Sequence, residues 1–198
     1  MAFKVQDFYF KKAKKEQYLA RSIYKLEEID LKYKLLKPNM KVLDLGYHPG
    51  SWTQYALKKV GKKGLVIGID IKPVQQSLLN PIDPLILLQM DAFEVTALSQ
   101  IQANEPFDIL ISDMAPNTTG NKTVDQFGSL NLVEKVFQIL PLFLKNGGTL
   151  VIKVFESHEA QVFLKQELKK FEESHYLRPK STREQSKEFF VIAKGLKA

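Results

Sequence analysis

The chain has 198 residues, is 44% hydrophobic and carries a net charge of +7, which is enough for one well-buried core and short for two. It contains no cysteine, which excludes disulfide staples, thiolate zinc sites and a cysteine nucleophile; no metal is expected. No apolar run reaches the 18 residues of a membrane span, and the opening "MAFKVQDFYFKKAKK" lacks the apolar core of a signal peptide, so the expected protein is soluble and cytoplasmic.

Charge is distributed unevenly. Residues 1–41 carry 11 Lys and Arg against 5 Asp and Glu, residues 42–174 carry 12 against 15, and residues 175–198 carry 6 against 2. Basic ends around a mildly acidic middle suit a polyanion laid across the termini. A lysine-rich solvated surface is the alternative.

Residues 16–34 place Leu19, Ile23, Leu26 and Ile29 at helical spacing, which predicts a helix. Five strand-like runs follow: "KVLDLG" (41–46), "GLVIGIDI" (64–71), "LILLQMD" (85–91), "FDILISD" (107–113) and "GGTLVIKVF" (147–155). Most are nearly continuous in Val, Ile and Leu, as strands buried on both faces should be. Helical patterns separate several of them, at 51–60, 128–145 and 158–173, with Pro141 predicting a kink or break inside the second. The runs at 175–180 and 188–195 lie too close for a helical crossover and predict an antiparallel pair closing the sheet edge. Alternating strands and helices predict a doubly wound α/β domain with a parallel sheet.

Ligands of such sheets sit beyond the carboxyl ends of the strands. There the sequence places Asp44, Asp70, Asp91 and Asp113, together with the turn "DLGYHPGSW" (44–52). A strand-end Asp also serves as a helix cap or turn residue, but four on one edge point to a site. The turn departs from the dinucleotide fingerprint: three residues, Pro49 among them, separate Gly46 from Gly50, and Trp52 follows where a third glycine is needed. No lysine follows in P-loop register. This turn suits a nucleoside without a phosphate chain, with Trp52 offering a flat face, Asp70 accepting from ribose hydroxyls and Asp91 placed for the adenine edge. S-adenosyl-L-methionine meets that description; an ordinary tight turn with Trp52 in the core is the alternative.

Lys153 interrupts the apolar run "TLVIKVF". A lysine there bears a desolvation cost unless it is paired or opens into a pocket. It either snorkels from an edge strand or pairs with Asp113, in which case misplaced charge marks function.

Three long segments resemble one family. "SDMAPNTTGNKTVDQ" (112–126), "DFYFKKAKKEQYLARSIYKLEEI" (7–29) and "RPKSTREQSKEFFVIAKG" (178–195) are similar to the signature and flanking motifs of the FtsJ-like ribose 2′-O-methyltransferases. The resemblance runs through nearly the whole chain. It implies a seven-stranded, mostly parallel, Rossmann-like sheet with an antiparallel last strand, as one methyltransferase domain over residues 1–198 whose basic segment 1–40 contacts RNA. The implied activity is methyl transfer from S-adenosyl-L-methionine to an RNA ribose 2′-hydroxyl, in a uridine of large-subunit ribosomal RNA as in the compact bacterial and archaeal members. Relatives that modify tRNA share the family's catalytic residues, so tRNA is the alternative target. A nicotinamide-dependent oxidoreductase, disfavoured by the missing glycine, and a silent RNA-binding module complete the alternatives. The expected partner is ribosomal RNA within the large subunit; no membrane partner is expected, and the expected state is a monomer.

The resemblance also implies a Lys–Asp–Lys–Glu tetrad, matched by Lys25, Asp113, Lys153 and Glu188. The cofactor positions match Gly46, Gly50, Trp52, Asp70, Asp91 and Asp113. Tyr47 and His48 stand where small residues are common, Ser51 replaces a frequent glycine, and Leu19 replaces an arginine, leaving Arg21. The first change is expected to narrow the methionine end of the pocket and the last to weaken a phosphate contact. Lys153 is the expected central residue, taking the hydroxyl proton or orienting the oxygen. Asp113 would orient it, Glu188 would hold the lysines together, and Lys25 has a phosphate contact as its other reading. Phe8, Tyr9, Phe10 and Tyr18, interleaved with lysines, offer stacking surface for bases or simply pack the N-terminal helix.

Overall fold

A computed structural model describes residues 8–80, 84–94, 101 and 104–198; the first seven residues of the basic N-terminal segment lie outside them. In chain order the elements are α1 (Phe8–Lys15), α2 (Ile23–Tyr33), β1 (Lys41–Leu45), α3 (Ser51–Val60), β2 (Leu65–Asp70), β3 (Leu85–Gln89), β4 (Phe107–Ser112), α4 (Lys122–Phe143), β5 (Leu144–Phe155), α5 (His158–Glu167), β6 (Phe171–Leu177) and β7 (Glu188–Leu196). Short 3₁₀ turns cover Gln76–Leu78 and Leu168–Lys170.

The strands form one seven-stranded sheet in the order β3-β2-β1-β4-β5-β7-β6. β1 to β5 run parallel, whereas β7 runs antiparallel to both β5 and β6. The chain order reverses direction between β1 and β4, so the crevice for a ligand opens there.

The continuous apolar runs are explained by burial on both faces. Leu43, Leu45, Ile67 and Ile69 pack toward one core with Val133, Phe137 and Leu140 of α4. Val42, Val66, Ile109 and Ile111 face the other core with Ile23, Leu26 and Ile29 of α2 and Tyr55 and Ala56 of α3.

Several predicted boundaries are corrected. Of the helix expected over 16–34, only α2 (Ile23–Tyr33) forms; residues 16–22 make a turn that separates it from α1. Gln54 of α3 takes the backbone there: its Oε1 accepts from Leu19 N–H at 2.9 Å and its Nε2 donates to the Gln17 carbonyl at 3.3 Å. These long-range bonds replace those a continuous helix would make, and Gln17 turns to φ 61°. The helix expected over 158–173 stops at Glu167, because Phe171 and Glu173 pair with Leu196 and Lys194 of β7; pairing overrides local propensity. β6 therefore covers Phe171–Leu177 rather than 175–180. α4 runs unbroken through Pro141 to Phe143. Proline in the last turn forfeits a single intrahelical bond, so no break follows, and residues 144–145 begin β5.

Candidate active site

Strand ends build the site. Asp44 lies in β1, Asp70 ends β2, Asp91 stands two residues past β3 and Asp113 follows β4. All four stand at the carboxyl edge of adjacent strands, on both sides of the crossover between β1 and β4. The glycine turn closes this edge from the β1 side. Gly46 has φ +73°, and a Cβ there would fall 2.1 Å from the Met114 side chain; Gly50, at φ +113°, starts α3. Both positions demand glycine because the backbone is left-handed and the neighbouring chain is close.

A cavity of about 460 Å³ lies between Gly46, Asp70, Asp91 and the 113–117 loop, walled by Met90, Phe93, Met114 and Pro116. Asp70 is oriented by two backbone donors: His48 N–H to Oδ2 at 3.0 Å and Lys72 N–H to Oδ1 at 2.9 Å. Asp91 accepts from Phe93 N–H at 3.0 Å. A carboxylate offers roughly four lone-pair sites, so both keep acceptor capacity facing the cavity. Two fixed acceptors between apolar walls fit a nucleoside: a ribose diol at Asp70 and an amino-bearing base at Asp91.

A smaller recess of about 30 Å³ adjoins it, bordered by Asp44, Tyr47, Ser51, Trp52 and Asp113. Here the reading of Trp52 is corrected. Its ring is 2% exposed and packs against Phe190, with centroids 5.7 Å apart, and its indole N–H donates to the Ser22 carbonyl at 2.8 Å. Trp52 thus borders the recess as a core wall rather than presenting an open stacking face. Tyr47 lies against Gly68 of β2, and its hydroxyl accepts from Gln75 N–H at 3.3 Å. Ser51 hydrogen-bonds Ser22 at 2.9 Å, tying α3 to the start of α2.

Asp44 is buried beneath the recess. Burial pushes its carboxyl up to about 7; the Thr53 hydroxyl, donating at 2.7 Å, opposes the rise, and the charges of Asp113 and Asp70 add to it. The folded-state value lies above the ordinary aspartate value of about 3.9. Asp44 therefore favours the folded state fully below about pH 4, and that contribution is lost as pH rises through about 7. Asp44→Asn is expected to flatten this part of the stability profile. Relative to the parent, the variant gains unfolding free energy between about pH 4 and 7, measurable by urea titration at a series of pH values. A pH-independent difference would show that Asp44 stays ionised in the fold.

Beside the recess the four tetrad residues meet as two ion pairs. Lys153 Nζ donates to Asp113 Oδ1 at 2.9 Å and also to the Asp113 carbonyl, with the lysine side chain 8% exposed. Lys25, in the first turn of α2, pairs with Glu188 at the start of β7. Phe190 lies between the pairs: it is the register partner of Lys153, and its ring lies 5.8 Å from Lys25 Nζ. Lys153 is on an interior strand, so the snorkelling alternative falls. Lys25 is tied to Glu188 instead of projecting freely toward a phosphate.

The sequence reading missed Thr53 and Phe190, which hold Asp44 and the two ion pairs. Phe190 sits in "EFFVIA", a run that reads as ordinary core, so no local signal marks it. It also missed a second cavity of about 330 Å³ next to the tetrad, bordered by Arg21, Lys25, Arg183 and Glu188. Arg21 donates to the Ser181 carbonyl. Burial lowers the pKa of its guanidinium and the charge of Arg183 adds to this, while Glu188 opposes it.

Comparisons with known proteins agree with this geometry. The chain is 43% identical over 196 residues to the ribosomal RNA large subunit methyltransferase E of Bdellovibrio bacteriovorus, covering 97% of each chain. It is 41% identical over 198 residues to the protein of the same name from Syntrophobacter fumaroxidans, covering 100% of this chain and 99% of that one. Among solved structures it is similar to a Plasmodium falciparum protein assigned as a ribosomal RNA methyltransferase, with a TM-score of 0.75, 30% identity and coverage of 90% and 98%. The fold is shared with Aeropyrum pernix fibrillarin, solved with S-adenosyl-L-methionine bound, at a TM-score of 0.61, 16% identity and coverage of 87% and 76%. The FtsJ-like methyltransferase family matches residues 18–196, and the chain belongs to that family.

Proposed function

We propose that the protein transfers a methyl group from S-adenosyl-L-methionine to the 2′-hydroxyl of a uridine in large-subunit ribosomal RNA. The observation that carries this reading is a buried lysine, Lys153, held by Asp113 at the sheet edge beside a nucleoside-sized cavity. Asp70, Asp91 and the Gly46–Gly50 turn would hold the cofactor, which supplies an electrophilic methyl group when bound.

The rest is positioning, the main requirement of an in-line displacement. A lysine ammonium has three N–H donors. Asp113 takes two, through its carboxylate and its carbonyl, leaving the third to bind the ribose 2′-oxygen and aim a lone pair; the hydroxyl proton would leave to water as the oxygen–methyl bond replaces the sulfonium–methyl bond. Asp113 fixes the amine, and the Lys25–Glu188 pair closes the other side of the acceptor position. The cavity bordered by Arg21 and Arg183 leads to this point from the basic N-terminal helices and suits the acceptor's phosphates.

Glu188→Gln is expected to loosen Lys25 and lower kcat on RNA by roughly 10²-fold, with cofactor affinity unchanged in calorimetry. A kcat within about twofold of the parent would remove Glu188 from the positioning role.

The reading is tested by incubating the protein and methyl-labelled cofactor with large ribosomal subunits and, separately, bulk tRNA, both from a strain lacking the enzyme. Label in a 2′-O-methyluridine of the large-subunit RNA is the expected result. Label in tRNA alone would keep the chemistry and overturn the target, and label in neither would overturn both.

A further inference from the structure

A cavity of about 910 Å³ lies away from the cofactor crevice, between α5 and the edge strand β6. Its floor is aromatic. Tyr176 of β6 is 53% exposed, and its ring centroid lies 5.7 Å from that of Phe189 in β7. Its rim is basic: Lys165 and Lys169 stand along α5 and the 3₁₀ turn that follows it, and Lys187 stands at the end where β7 begins. Among the described residues, the amines of these three lysines have no ion-pair or hydrogen-bond partner. Arg178, just past β6, donates to the carbonyls of Glu184 and Ser186 at 2.9 and 2.7 Å, which fixes a fourth cation at the same end.

Glu188 borders this groove and also the cavity beside the tetrad. Glu188, a residue of the proposed acceptor site, therefore stands between the two. From Arg178 back to Ser174 the groove follows four residues of β6, about 14 Å at roughly 3.4 Å per residue. A stacked nucleic-acid strand advances roughly 3.4 Å per nucleotide, so the groove spans about four nucleotides.

We infer that this groove is a second RNA subsite, holding unpaired nucleotides that flank the acceptor, with a base stacked on Tyr176 and phosphates on Lys165, Lys169 and Lys187. The inference rests on the RNA methyltransferase reading and adds where the strand runs after it leaves the active site. An aromatic platform beside a row of unpaired cations is the arrangement that single-stranded nucleic acid requires: stacking is tolerant of sequence, and the cations follow the backbone. Of the groove's two carboxylates, Glu188 is already neutralised by Lys25, which leaves Glu156 against four cations.

The test uses the full chain and a short fluorescein-labelled single-stranded RNA, followed by anisotropy over a range of salt. Tyr176→Ala is expected to weaken binding roughly tenfold, and Tyr176→Phe, which keeps the stacking face, to stay within about twofold of the parent. Lys165→Gln with Lys169→Gln is expected to weaken binding roughly tenfold and to reduce the salt slope by about 1.4, at about 0.7 per phosphate contact. On large ribosomal subunits both variants raise KM for RNA and retain kcat. Unchanged affinity and slope in both, with a parent that binds and methylates RNA, would overturn the groove assignment and leave the methyltransferase reading standing. A parent that neither binds nor methylates RNA would overturn both.

Discussion

Lys153→Ala is expected to abolish methyl transfer, lowering single-turnover rates on large ribosomal subunits by roughly 10²–10⁴-fold, while calorimetric affinity for S-adenosyl-L-methionine stays within about threefold. The argument is geometric. Lys153 reaches Asp113 at the mouth of the site, whereas the nucleoside cavity is built from Gly46, Asp70, Asp91 and the 113–117 loop; the lysine is not one of its walls. Under the proposed mechanism, truncation removes the donor aimed at the acceptor oxygen and leaves the residues proposed to hold the cofactor in place. Asp113 loses its partner, but its side chain is 19% exposed, so water reaches the carboxylate and the fold survives. Lys153→Arg tests the same point from the other side: the charge remains, but the planar fork cannot repeat the three-way donation of an ammonium, and rates stay far below the parent. Near-normal turnover in either variant would sink the mechanism.

Asp30→Ala is expected to lower the unfolding free energy by about 3–5 kcal/mol, read from urea denaturation, with no change in the slope of the transition. Asp30 is 3% exposed at the end of α2. One oxygen accepts from Leu35 N–H at 3.0 Å and Leu36 N–H at 2.8 Å, closing the backbone after the left-handed residue Lys34. The other accepts from the Tyr55 hydroxyl at 2.9 Å and meets Lys59 Nζ at 3.0 Å, which ties α2 to α3. Removing the carboxylate strands three buried donors, each worth about 1–3 kcal/mol when unsatisfied. Asp30→Asn keeps an acceptor for the two backbone groups and is expected to lose less. A loss below about 1 kcal/mol for Asp30→Ala would mean that water or a repacked turn replaces the carboxylate.

Much of the candidate site was legible because its signals are local. A lysine inside "TLVIKVF" conflicts with its surroundings whatever the fold, and aspartates after successive apolar runs fall on one sheet edge once those runs are parallel strands. Other parts depend on encounters between distant segments. The turn that divides α1 from α2 is imposed by Gln54, more than 30 residues later. Phe171 and Glu173 carry no mark of a strand until β7 lies beside them, and Trp52 reads equally as a stacking face or a core residue until Phe190 arrives against it.

The amino-acid pattern alone carries the doubly wound sheet, the glycine turn, the four aspartates and the Lys153–Asp113 pairing, because each follows from the burial or charge of residues within one short segment or on adjacent parallel strands. The Lys25–Glu188 pair, the central place of Phe190 and the basic aromatic groove exist through topology. β7 enters antiparallel between β5 and β6, setting Phe190 beside Lys153 and Glu188 against Lys25 of a helix 163 residues earlier in the chain. No periodicity encodes that meeting; it is the packing of α2 and the insertion of β7 into one sheet that bring those charges within reach.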